Sequence, residues 1–313
     1  DDNYVLIKNK SDATFAKAHN LSKEEVSKKI DAWKKILIKA RDKRSRPNID
    51  DKILTSWNGL MIDAFIDAYR VFKDKDFLDV ASSSAEFILK NMKKSDGGLY
   101  HSHKDGKSKI NGYLEDYATT IQAFLNLYEN TLDEKWLNTS NDLIKYTYKN
   151  FFNAETNMFY FTSTLDDKLI SRTVEFRDNV IPSSNSIMAN NLFKLSHYFD
   201  NKKYLNSSQQ MVNNIKDQIE LYPGGFSNWM NLILNINKNF YEIAVVGNKA
   251  IEKIKELNEN YLPNKIIIGS LESNPLPLLK NRFVEGETYI YVCVNKACKM
   301  PVKTVKEALK LIE

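Results

Sequence analysis

One self-similarity constrains this chain more than any other feature. The segments "AYRVFKDKDFL" (68–78), "LYENTLDEKWL" (127–137) and "HYFDNKKYL" (197–205) each end one helical pattern, cross a short charged linker and open another on an aromatic-Leu pair. From Phe77 to Trp136 to Tyr204 the spacing is roughly 60–70 residues, the length of two helices with their loops, so each unit reads as a helical hairpin. A single hairpin cannot bury its apolar face alone, and repeated hairpins must stack.

Periodicity within the units is helical. Leu60, Met61, Ala64, Phe65, Ala68 and Phe72 form one stripe, Leu114, Tyr117, Ala118, Ile121, Leu125 and Tyr128 a second, and Ile187, Met188, Leu192 and Leu195 a third. Second helices follow, as with Phe77, Leu78, Ala81, Ala85, Ile88 and Leu89. Between units lie Gly- and aromatic-rich turns, "DGGLYHSHKDG" (96–106), "NAETNMFYFTST" (153–164) and "PGGFSN" (223–228), which predict small hairpins. The expected fold is mainly α: an (α/α) toroid of helical hairpins over 1–240, an incomplete (α/α)6 barrel.

Beyond residue 240 the texture changes. "YEIAVV" (241–246), "KIIIG" (265–269) and "TYIYVCV" (288–294) are β-branched runs separated by a helical pattern at 249–259 and followed by another at 302–312. They predict a small α/β appendage over 241–313 with parallel pairing. Val246-Gly247-Asn248 is a strand-to-helix turn, but one glycine is no dinucleotide fingerprint.

The starts of the first helices are polar. The first carries Asp50, Asp51, Trp57 and Asn58, within "RPNIDDKILTSWNGLM" (46–61); the second carries Tyr113, Glu115 and Asp116; the third carries Arg177, Asp178, Ser183, Ser184, Asn185 and Ser186. If first helices form an inner ring, these ends open on one side and their polar groups converge as an acidic, aromatic-lined cup. Asp51, Glu115 and Asp116 are then the catalytic candidates. Asp50, Trp57, Asn58, Tyr113, Arg177, Asp178, Ser184 and Asn185 are the ligand-binding ones, since a carboxylate beside an indole suits a sugar ring.

Each has a plainer reading. Asp, Ser and Asn before a helix cap it, and for Asp50 the cap is favoured. Glu115 and Asp116 are adjacent and do not share a helix face, so one points into the cup and the other towards the helix dipole or an ion pair. A glycosidase needs two carboxyls about 5–5.5 Å or 6.5–9.5 Å apart, so the partner would come from another helix, such as Asp51. Of the histidines, His19, His101, His103 and His197, none sits at a first-helix start. His101 and His103 are expected as exposed turn residues, with no metal site and no cofactor.

Composition removes several classes of function. With 42% hydrophobic and 27% charged residues the chain is globular. The net charge of +5 is spread out, and the one dense basic run, Arg41, Lys43, Arg44 and Arg46, ends a helical pattern, so no nucleic-acid partner is expected. No apolar run approaches the ~18 residues of a membrane span. Cys293 and Cys298 lack the Cys-x-x-Cys spacing; free structural thiols and a cytoplasmic location are expected.

Five separated stretches carry a family resemblance: "RPNIDDKILTSWNGLM", "GYLEDYATTIQAFLNLYE", "DNVIPSSNSIMANNLFKL", "YLPNKIII" and "YVCVNKACKMPV". In order and spacing they resemble the thioredoxin domain-containing proteins related to spermatogenesis-associated protein 20. The resemblance implies an N-terminal thioredoxin-like domain followed by an (α/α)6 toroid similar to six-hairpin glycosidases and to N-acylglucosamine 2-epimerase, in a family whose activity is largely undefined. The thioredoxin-like domain and first toroid helices would precede Asp1, so this chain is expected to be a piece of a longer protein with an apolar helix face uncovered, open to homodimerisation. The family tends to read Asp-Gly-Ala where this chain has Asp178, Asn179 and Val180, a departure that bears on the freedom of that turn.

The functional expectation is binding, with hydrolysis or isomerisation, of a sugar-like small molecule in the cup. The alternative is a non-catalytic scaffold or regulatory module for the thioredoxin-like domain.

Overall fold

A computed structural model describes residues 7–168 and 170–312. Two compact units separate between Asp51 and Lys52. In the first, α1 (Asp12–Ala18) and α2 (Lys23–Arg41) each start on a serine cap, and Ser22 with Glu25 closes a reciprocal capping box. Asp50 and Asp51 end this unit in an exposed, non-helical run. The first-helix pattern read from residue 50 therefore begins later than expected.

The second unit opens with a two-residue strand β1 (Ile53–Leu54) that runs straight into α3 (Thr55–Phe72). After α4 (Lys75–Phe87), which continues as a π-helical turn over Ile88–Met92, come β2 (Tyr100–Lys104) and β3 (Lys107–Asn111). Next are α5 (Leu114–Thr131), α6 (Glu134–Asn150), and the short pair β4 (Phe152–Asn153) and β5 (Met158–Phe159). Helices α7 (Ser184–Tyr198), α8 (Lys202–Leu221) and α9 (Ser227–Asn237) follow. "PGGFSN" is not a hairpin but a 3-10 turn that leads into α9, because a β-ladder has no partner there.

The hairpin repeat has a common turn. Lys73, Leu132 and Asp200 take left-handed backbone with φ of 62°, 57° and 51°. The next residue, Asp74, Asp133 or Asn201, then caps the outer helix by accepting from Asp76, Lys135 or Lys203 backbone N–H. Phe77 and Trp136 close their outer helices on the inner ones, Trp136 against Phe124 with centroids 5.0 Å apart, whereas Tyr204 stacks on Tyr148 of the neighbouring outer helix at 5.9 Å. Inner helices α3, α5 and α7 lie side by side with α4, α6 and α8 outside them, and α9 continues the row against α7. The unit is thus an arc of hairpins.

α5 is the middle of that arc and is buried nearly all round, with Tyr117, Ile121, Phe124, Leu125 and Tyr128 fully enclosed. Its crossing with α3 is close. Gly59 faces Thr119, and a Cβ on Gly59 would stand 2.8 Å from both the Thr119 carbonyl carbon and Oγ1. On α3, Trp57, Met61, Val71 and Phe72 remain exposed.

The remaining strands, β6 (Tyr241–Val246), β7 (Lys265–Ser270), β8 (Tyr289–Val294) and β9 (Ala297–Cys298), form one sheet in the order β7-β6-β8-β9. Pairing is mixed rather than parallel throughout: β6 runs parallel to β7, across the crossover helix α10 (Ala250–Leu257), but antiparallel to β8. A non-helical connection delivers β8, so no crossover helix forces it parallel. Alternate residues serve two faces. Ala244, Val246, Ile266 and Ile268 join the core of the helical arc, while Ile243, Val245, Ile267, Ile290 and Val292 pack with α10 and α11 (Val305–Leu309).

Polar groups also hold the C-terminal ends of the inner helices. Buried Glu129 of α5 accepts from Arg70 of α3 at 3.1 Å and from the Tyr198 hydroxyl of α7 at 2.8 Å. Lys265 of β7 adds its charge, and burial pulls its ammonium pKa down to about 8. No helix among the described residues is long and apolar enough to cross a membrane.

The α3–α5 contact generates a prediction. Gly59→Ala gains helix propensity of about 1 kcal/mol, yet overpacking against the Thr119 backbone typically costs about 1–3 kcal/mol. Urea unfolding is expected to show a net loss of stability, whereas Gly106→Ala, where nothing lies within 4 Å of the added carbon, suffers only the strain of its φ of +71°.

Candidate functional site at the N-terminal ends of the inner helices

The start of α3 lacks a local cap. Its N-cap position is Leu54, which has no side chain to offer, so the capping role expected for Asp50 is filled from elsewhere. Asp116, sixty residues later, accepts from Ser56 backbone N–H through Oδ1 at 2.9 Å. Its Oδ2 accepts from Tyr113 backbone N–H at 2.8 Å, within its own helix start. One fully buried carboxylate thereby ties the first turns of α3 and α5 together.

The third partner of Asp116 is His101, whose Nδ1 stands 2.9 Å from Oδ2. This corrects the expectation of an exposed turn histidine without a carboxylate partner. β1 pairs with β2 through Ile53↔His103 and Leu54↔Ser102, and the Thr55 hydroxyl donates to Tyr100 O at 2.6 Å, so the hairpin is fastened to the start of α3. That registration carries half-buried His101 to the helix ends. His103 instead meets the Ser108 hydroxyl at 2.9 Å and the edge of Phe87.

Glu115 is the neighbouring carboxylate. It is half-buried, with the Ser56 hydroxyl 3.4 Å away as its hydrogen-bond donor. Burial, and then the charges of Asp116 and Glu175, push its pKa above the ordinary carboxylate value, against the lowering effect of His101. The hydrogen bond to Asp116 holds the His101 pKa above its ordinary value, with burial opposing. His101, Glu115 and Asp116 each place a donor atom within 4.8 Å of the others, close enough to share a cation. Asp116 is already satisfied by three N–H groups, so a cation would have to displace them, and proton transfer suits the arrangement better.

Aromatic faces line the same place. Tyr113 meets His101 edge-on at 4.9 Å and stacks on Phe161 at 5.1 Å. Trp57, expected as the sugar platform, is 65% exposed on α3, and Asn58 donates locally to Leu54 O at 2.8 Å. Asp50 and Asp51 belong to the other unit.

The third helix start is built in the same manner. Asp178 accepts from Ser183 N at 2.9 Å and the Ser186 hydroxyl at 2.7 Å through Oδ1, and from Asn228 N of α9 at 2.9 Å through Oδ2. It joins α7 to α9 as Asp116 joins α3 to α5. Glu175 accepts from Ser184 N and Oγ at 3.1 and 2.7 Å. Asn185 is fully buried, bonded to the Phe159 backbone in both directions. Arg177 is exposed. Asn179 and Val180 stand outside the left-handed region, so this turn needs no glycine.

Of the candidates read from sequence, Tyr113, Glu115 and Asp116 are brought together. His101, Ser56 and Phe161 were missed, and Glu175, bonded to Ser184, was missed at the α7 start. A signal for His101 existed in the "YHSH" strand, but its partner lies in another element.

An arc of inner and outer helices with polar groups gathered at the inner N-terminal ends is an (α/α) toroid fold. A solved α-mannanase of glycoside hydrolase family 76 from Bacteroides thetaiotaomicron shares this fold, with TM-score 0.50 and 14% identity, over 75% of this chain and 66% of that one. A cellobiose 2-epimerase from Bacillus thermoamylovorans aligns at TM-score 0.44 and 18% identity, over 54% and 45% of the two chains. No protein-family model matches the chain. Its homologues are spermatogenesis-associated protein 20, 25% identical in the human protein over 99% of this chain and 42% of that one. An uncharacterized Caenorhabditis elegans protein is 28% identical over 98% of this chain and 44% of its own. The chain therefore spans less than half the length of these curated relatives.

Because an imidazolium paired with a buried carboxylate keeps its proton to higher pH, its stabilisation is complete below the ordinary histidine value and is lost as pH rises through the elevated one. An NMR titration is expected to place the His101 midpoint above about 6.5 and to bring it back towards that value in Asp116→Asn. The same variant loses stability by about 1–3 kcal/mol, as its amide nitrogen faces an N–H donor.

Proposed function

We propose that this unit binds a sugar-like small molecule at the inner-helix N-termini and isomerises it by proton transfer, with Glu115 as base and His101 as acid. The observation that carries the reading is the juxtaposition of half-buried Glu115 with an Asp116-held His101 inside 4.8 Å. Burial and the neighbouring carboxylates make Glu115 more basic than a solvated carboxylate, while Asp116 keeps more of His101 protonated near neutrality. Glu115 then removes a proton from the carbon beside a carbonyl, His101 gives one to the carbonyl oxygen, and the steps reverse onto the neighbouring carbon. The stacked pair of Tyr113 and Phe161 supplies an aromatic wall beside these groups. Asp116 acts through His101 as a positioning residue. Hydrolysis is less well served, since Asp116 is engaged by backbone N–H groups and leaves Glu115 without a matched free carboxyl.

One observation favours the rival reading, a scaffold for a thioredoxin-like domain: Asp116 and Asp178 are occupied in joining helices, and Asn185 in joining α7 to β5. Solvent deuterium exchange separates the two. With free aldoses and ketoses in D2O and the full-length protein, proton NMR is expected to show deuterium entering beside the carbonyl of at least one sugar. Glu115→Gln and His101→Gln should each lower that rate by about 10²–10⁴-fold with unchanged circular dichroism. A bell-shaped profile follows, rising through the Glu115 pKa and falling through that of His101. No exchange and no binding across the panel would leave the scaffold.

A further inference from the structure

The sheet also holds the chain's two cysteines. Cys293 of β8 and Cys298 of β9 are direct partners across the antiparallel ladder and are bonded as a disulfide, not free thiols as expected from their spacing. The tight turn between them explains the difference: Asn295 and Lys296 both adopt left-handed backbone, with φ of 49° and 67°, which folds β9 back onto β8. The two cysteines stand only five positions apart in the sequence. Closing so short a loop removes little chain entropy, so stabilisation is a weak reason for the bond.

Its surroundings are asymmetric. Cys293 is buried at 1% exposure, whereas Cys298 is exposed. Arg282, from the connection before β8, donates through Nη2 to Cys298 Sγ at 3.1 Å and through Nη1 to Cys293 Sγ at 3.6 Å. The arginine is fixed in place by Tyr291, whose hydroxyl donates to Arg282 O at 3.1 Å and whose ring lies 4.8 Å from the guanidinium. Glu242, the carboxylate whose charge reaches Arg282, is itself held by His197 Nδ1 at 2.6 Å and Lys296 N at 2.8 Å. A cation thus faces both sulfurs.

We propose that Cys293–Cys298 is a thiol–disulfide exchange site, entered at Cys298 by an external dithiol. A thiolate of the dithiol attacks Cys298 Sγ; a bond forms between those sulfurs while the Cys298–Cys293 bond breaks, and the electron pair remains on Cys293 Sγ beside Arg282. The second thiol of the reductant, deprotonated to solvent, attacks its own bonded sulfur and releases Cys298 as a thiolate. Two electrons pass from the dithiol, which ends as a disulfide, to the protein, which ends with two thiols. Arg282 speeds the exchange because a positive neighbour stabilises the departing thiolate.

The test uses the folded chain with dithiothreitol, followed by alkylation and mass spectrometry, and glutathione disulfide as a probe of the exposed sulfur. Without denaturant, dithiothreitol is expected to expose both cysteines to alkylation, and in Cys293→Ser the Cys298 thiolate is expected to attack glutathione disulfide, keeping one glutathione as a mixed disulfide and releasing the other as a thiol. Arg282→Ala should slow reduction about tenfold, while Arg282→Lys, which keeps the charge, restores most of the rate. Reduction that requires unfolding, or a rate indifferent to Arg282→Ala, overturns the proposal.

Discussion

The carboxylate of Asp116 is the interaction on which the rest of the second unit depends. An inner helix that starts without a side-chain cap leaves backbone N–H groups exposed towards a crowded interior, and α3 starts in that way at Leu54. Asp116 satisfies one of those groups at Ser56, and also accepts from the Tyr113 backbone N–H at the start of α5 and pairs with the imidazole of His101. With the carboxylate fully buried, losing any one donor leaves charge poorly solvated in the core. Packing between α3 and α5, the seating of the β1–β2–β3 sheet and the orientation of His101 are therefore one arrangement rather than three.

The same device recurs along the arc and explains its order. Asp178 does for α7 and α9 what Asp116 does for α3 and α5. At the opposite ends of the helices, Glu129 gathers Arg70, Tyr198 and the charge of Lys265, so the sheet's first strand is tied to the inner row as well. Between these polar ends, apolar packing supplies the bulk of the stability, with Gly59 allowing α3 to approach Thr119 of α5 closely. Helix stacking alone would let neighbours slide by a turn, and the buried carboxylates specify the register.

That economy sets what chemistry is available. Most polar residues at the helix starts are spent on joining elements, and the proposed chemistry falls to Glu115 and His101. The imidazole of His101 is well held, since Asp116, the residue that orients it, is one that the fold can least move. The sulfur chemistry proposed for Cys293 and Cys298 sits on the far strand of the sheet and draws on a separate cation, Arg282.

Periodicity and linker chemistry made most of the architecture legible from sequence alone. The recurring charged linkers, each opening a second helix on an aromatic-Leu pair, marked the hairpins, and the β-branched runs after residue 240 marked the sheet. Glu115, Asp116 and Tyr113 were legible for the same reason, standing at the start of a periodic segment. What stayed hidden depends on partners far apart in the chain. That Asp116 caps Ser56 rather than serving as a free acid, and that a strand delivers His101 to it, follows from pairing β1 with β2, which no local pattern encodes. The antiparallel course of β8 and the bond between Cys293 and Cys298 were hidden likewise. Sequence determines which segments become helices and strands through local backbone preference and burial period; only tertiary structure decides which carboxylates are spent on holding those segments together, because that depends on which N–H groups the packed neighbours leave unsatisfied.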